Sequence, residues 1–174
     1  MADLFDEEVL DSISEMFDLD CFVLIVDDKQ RNTNQFFKNQ HKTIQIVSKT
    51  NISSVFISLE KRSYCGYFIL IDNPDSAKKT IKEISERSEN NFQEFSWFIK
   101  MKQVSPDLGL TLQLNTDIKL LQFGSGKCDV YELYGLGGEA VLTKIGYLDE
   151  DGQLEISGVD KLQRIKNLQG VTLR

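Results

Sequence analysis

The chain of 174 residues is 41% hydrophobic and 10% aromatic, enough to build one core in a domain of ordinary size. Its 20 basic residues stand against 27 acidic ones, a net charge of −7, so a surface that neutralises nucleic-acid phosphates or anionic lipid headgroups is not expected. No apolar stretch reaches the roughly 18–20 residues that a bilayer-spanning helix requires, so membrane insertion by this segment is not expected either.

In chain order, the first residues, Met1-Ala-Asp-Leu-Phe-Asp-Glu-Glu, carry no basic group ahead of an apolar run, which is not the pattern of a secretory signal. The spacing of Val9, Ile13 and Met16 predicts a helix over Asp6 to Phe17, with acidic residues at its amino end. Cys21 to Val26 is a continuous apolar run and predicts a strand buried on both faces, stopped by Asp27 and Asp28. A short helix is predicted from Asn34 to Gln40, then strands at Thr43 to Val47, Val55 to Leu59 and Tyr67 to Ile71. Asn73-Pro74-Asp75-Ser76 supplies cap chemistry and a first-turn proline, and Ala77, Ile81 and Ile84 mark the buried face of a helix running to Arg87.

Phe95 to Met101 reads as a strand in which Trp97 fills core, since aromatic residues on strands usually do. Ser105-Pro106-Asp107 then starts a region that reads two ways. Leu108, Leu110, Leu112 and Leu114 alternate as in a strand, while the cap residues favour a short helix, which is the reading adopted despite Gly109. From Ile118 the texture is β: Ile118 to Phe123, Asp129 to Tyr134 and Val141 to Tyr147, separated by Gly124-Ser-Gly126 and Gly135-Leu-Gly-Gly138. The βαβ rhythm predicts an α/β domain over residues 1–134 with a mainly parallel sheet, followed by a β-rich extension over 135–174.

Chemistry-bearing motifs are sparse. Cys21, Cys65 and Cys128 lie far apart, and with the single His41 they give no zinc-ligand spacing. Buried thiols are the first reading, though one disulfide with one free thiol is also open, and Cys21 and Cys65 fall on strands that could be neighbours. Asn51-Ile52-Ser53 is a candidate glycosylation site, meaningful only for a secreted chain. Gly124-Ser-Gly-Lys127 has Leu121 where a phosphate-binding loop needs glycine and Cys128 where it needs a hydroxyl, so it reads as a turn. His41 reads as a surface residue. No catalytic residue, cofactor or metal set is assigned, and a non-enzymatic protein is expected.

Two resemblances go further. Phe22 to Asp28 and Phe68 to Pro74 resemble strands of a bacterial-type receiver domain, in which Asp27, Asp28 and Asp72 would hold magnesium and accept a phosphoryl group. The helix predicted before the first strand and the β-rich tail have no counterpart there. The second resemblance covers about Tyr64 to Arg174. It rests on Gly66-Tyr-Phe-Ile-Leu-Ile-Asp72, a helix through Ser88, Asn91-Phe92, Phe95-Ser-Trp97-Phe-Ile99, Asp117 and Asp129-Val-Tyr131. Gly137-Gly138, Val141 to Tyr147, Gly152-Gln-Leu154 and Arg164-Ile-Lys166-Asn-Leu168-Gln-Gly170 continue the pattern.

In this order these segments resemble the amino-terminal domain of insect chemosensory ionotropic receptors, a divergent branch of the ionotropic glutamate receptors, and are most similar to its acid-sensing olfactory members. Tyr147 and Lys166 depart from the tryptophan and arginine usual there. The resemblance implies a Rossmann-like, periplasmic-binding-like lobe on the extracellular side of the plasma membrane, partnered by other receptor subunits including a co-receptor. It also implies that the ligand-binding domain and pore of the odorant-gated cation channel lie beyond Arg174. A soluble α/β interaction domain is the remaining alternative.

Overall fold

The structure, a computed structural model, describes residues 21–26, 43–48, 66–70, 74–87, 96–124, 126–149 and 154–156. Among the described residues eight strands form one sheet: β1 (Cys21–Val26), β2 (Thr43–Ser48), β3 (Gly66–Leu70), β4 (Ser96–Met101), β5 (Asp117–Phe123), β6 (Cys128–Leu136), β7 (Glu139–Leu148) and β8 (Leu154–Ile156). Their order across the sheet is β2-β1-β3-β4-β5-β6-β7-β8. One described helix, α1 (Pro74–Arg87), joins β3 to β4.

The sheet is mixed rather than mainly parallel. Strands β2 to β5 pair in parallel, and from β5 onward each pairing is antiparallel. The physical cause is the length of the connections. Parallel neighbours need a crossover, such as the one α1 supplies, whereas a loop of four residues between Phe123 and Cys128 can only turn the chain back on itself. Position 134/135, where the domain was expected to give way to an extension, falls inside β6, and β6 to β8 continue the sheet of the parallel strands.

Helix α1 forms where the spacing predicts it. Pro74 occupies the first turn, where a missing N–H breaks no intrahelical bond. Ala77, Ile81 and Ile84 recur at helical spacing and are fully buried, while Lys82 and Glu86 form an i,i+4 ion pair of 3.9 Å on the exposed side. The buried face packs on Trp97, Ile99 and Met101 of β4 and on Ile118 and Leu120 of β5. Trp97, the chain's one tryptophan, is 0% exposed, as expected for a core aromatic. The alternation of strand side chains sends Phe98, Leu121 and Val130 to the opposite face, where they are buried as well. The centre of the sheet is therefore covered on both sides.

The short helix expected from Ser105 to Leu114 is absent; residues 102–116 have no regular secondary structure. Side-chain hydrogen bonding outcompetes the helix here. The Asp107 carboxylate accepts from the Gly109 N–H at 3.0 Å, and the Ser105 hydroxyl accepts from the Asp107 N–H at 3.2 Å, two-residue spans that build turns. Gly109 then takes φ +67°, outside the helical region. The segment is a strap laid over the sheet. It buries Leu108, and its far end closes with a bond from the Gln113 N–H to the Thr116 hydroxyl at 2.8 Å. The Gly135 N–H of β6 donates to the Gln113 carbonyl at 2.9 Å. A methyl group on Gly135 would lie 2.2 Å from the Leu112 carbonyl oxygen, so the strap reaches the sheet only because residue 135 has no side chain.

The β6–β7 hairpin turns on Gly137 and Gly138 with φ values of 62° and 89°, the paired positive angles of a two-residue turn that matches strand twist. Further along, the partner of Val130 is Gly146 while that of Tyr131 is Lys144, which leaves Ile145 as the extra residue of a β-bulge. The predicted elements at Asp6 to Phe17, Asn34 to Gln40 and Val55 to Leu59 lie outside the described residues.

Candidate functional site

A buried charge cluster among the described residues is built by strand register. Asp117 and Lys119 sit two apart on β5 and so share a face, and Lys119 stands directly opposite Glu132 of β6. On the other side of β5, Ser96 of β4 pairs with Asp117. The Lys119 ammonium reaches Glu132 Oε1 at 3.1 Å and also contacts Asp117 Oδ1, while the Ser96 hydroxyl donates to Asp117 Oδ2 at 2.5 Å. The side chains of Lys119 and Glu132 are 8% and 5% exposed. This network ties three strands together in a region that water scarcely reaches. Its ammonium is committed to two carboxylates, which suits the locking of a register rather than an exchange of protons with a substrate.

A second cluster lies at the sheet surface. Asp129 Oδ1 has Lys144 Nζ at 2.8 Å and Lys127 Nζ at 3.9 Å. The Asp129 carboxylate holds the Lys144 ammonium above the usual lysine range. The Tyr147 hydroxyl donates to Glu155 Oε2 at 2.8 Å, and this bond raises the phenol's pKa while tying β7 to β8. Close by, burial followed by the charge of Asp129 pushes the Cys128 thiol up to about 12. A thiol held protonated in this way is no nucleophile at neutral pH.

An open groove of about 470 Å³ runs between the strap and the hairpin, lined by Leu108, Leu110 and Leu112 on one side and Gly138 to Ala140 on the other. At its rim the Asp107 carboxyl is held below its usual range, first by the Gly109 N–H and then by Lys78, whose ammonium lies 3.4 Å away. Among the described residues no three His, Cys, Asp or Glu side chains are grouped to hold a metal ion, and no helix is long and apolar enough to cross a membrane.

Most residues singled out in the sequence fall elsewhere. Asp27, Asp28, Asp72, Asn51, His41 and Cys65 lie outside the described residues, while Cys21 opens β1. Strands β1 and β3, which lead toward the three aspartates, run parallel and end side by side at Val26 and Leu70. Gly124 to Lys127 is the β5–β6 turn, closed by the Gly124 N–H donating to the Lys127 carbonyl at 2.9 Å. The Lys119 network escaped the sequence reading. Its only signal was the pair of charges at Asp117 and Lys119 in an otherwise apolar strand, and its partner Glu132 is set by register. No protein-family model matches the chain, and no curated protein matches it.

Proposed function

We propose that the chain is the extracellular amino-terminal domain of an odorant-gated cation-channel subunit, serving assembly and structural support rather than catalysis. The observation that carries this reading is the succession of motif-bearing segments through one sheet. Strand β3 from Gly66, helix α1, β4 with buried Trp97, β5 opening on Asp117 and β6 with Asp129-Val-Tyr131 follow as neighbours, and the Gly137–Gly138 turn comes next. This is the order of the segments through which the chain resembles insect chemosensory ionotropic receptors.

On this reading the parallel strands, ordered β2-β1-β3-β4-β5, form a Rossmann-like, periplasmic-binding-like lobe. Its partners are other receptor subunits, a co-receptor among them, and its place is the outer side of the plasma membrane. The cross-strand ion network and the glycine-seated strap would give such a module a rigid frame without giving it chemistry of its own. The test is the full transcript from the source tissue. A reading frame that passes Arg174 into a ligand-binding lobe and three hydrophobic spans, with a signal peptide upstream, supports the proposal; a stop codon at Arg174 overturns it.

One observation favours the receiver reading as the second choice. The same strand order, with β1 and β3 ending at paired Val26 and Leu70, suits carboxylates collected at the carboxyl edge of a parallel sheet. Incubation with acetyl phosphate and magnesium separates the two: a receiver gains a phosphoryl group that Asp72→Asn abolishes, and a receptor domain gains none.

A further inference from the structure

We draw no further inference here: the strongest candidate, the outer edge of β7 from Glu139 to Ile145 with the open groove beside the strap, is not reached by β8, but nothing in the structure shows what covers it.

Discussion

Replacing Lys119 by methionine keeps the aliphatic length of the side chain and removes only its charge. At 3.1 Å the Lys119–Glu132 attraction is about 5 kcal/mol for an effective dielectric of about 20. Much of that offsets the cost of taking both charges out of water, so the pair as a whole adds little. Breaking it by removing one partner is different, because the buried Glu132 and the half-buried Asp117 then lose this cation, at a cost of about 3–5 kcal/mol. Against the roughly 5–15 kcal/mol total stability of a domain, that loss is large.

Urea unfolding of the purified chain at neutral pH reads it as a lower midpoint with an unchanged slope. Lys119→Met combined with Glu132→Met should recover part of the loss, since an apolar pair replaces a buried carboxylate that has lost this cation. A single variant within about 1 kcal/mol of the parent, or a double variant no better than the single one, would refute the argument that the network is buried and mutually dependent.

Gly135→Ala places a methyl group against the Leu112 carbonyl and should destabilise the chain by at least the roughly 1–3 kcal/mol typical of overpacking, because backbone and not a flexible side chain must move. Gly138→Ala, where no atom lies within 4 Å of the added carbon, should show only the smaller strain of positive φ; equal losses for the two would refute the close approach of the strap. The Cys128 thiol is raised from 9.0 to about 12 by burial, so its contribution to stability is complete below pH about 9 and is lost as pH climbs from about 9 toward 12. Urea midpoints of the parent should therefore fall more steeply above pH about 9 than those of Cys128→Ala, and parallel curves would contradict this. A peptide map of chain secreted from cells decides between the two readings of the cysteines: a recovered Cys21–Cys65 bridge establishes the disulfide, and quantitative alkylation of both thiols without reductant dismisses it.

Much of the described fold was legible along the chain. Helix α1 could be placed from one apolar stripe and a proline start, since both are local properties. The strands were visible because their apolar runs and alternations are short, rich in β-branched and aromatic residues and bounded by turn residues, and the turns because glycine clusters separate them. At Leu108 to Leu114 the same reasoning failed for a local reason. Asp107 and Ser105 can cap a helix or build turns with the same atoms, and only the packing of Leu108 under the strap, with Gly109 at positive φ, decides between them.

What the sequence alone determined about this protein is helix α1 with its apolar face, the strands β1 to β7, the core position of Trp97 and the turn chemistry of the hairpins. Tertiary structure alone decided how those elements meet. Whether a strand pairs in parallel or antiparallel depends on where its connection lands, so the mixed sheet emerged only once β6 had folded back on β5. The Lys119 network has the same origin: Asp117 and Lys119 share a strand, but Ser96 and Glu132 reach them across two pairings, and burial makes one ammonium answer to two carboxylates. Gly135 is one more glycine in the sequence, and it becomes indispensable only where a strap fifteen residues long crosses it within van der Waals reach of its backbone.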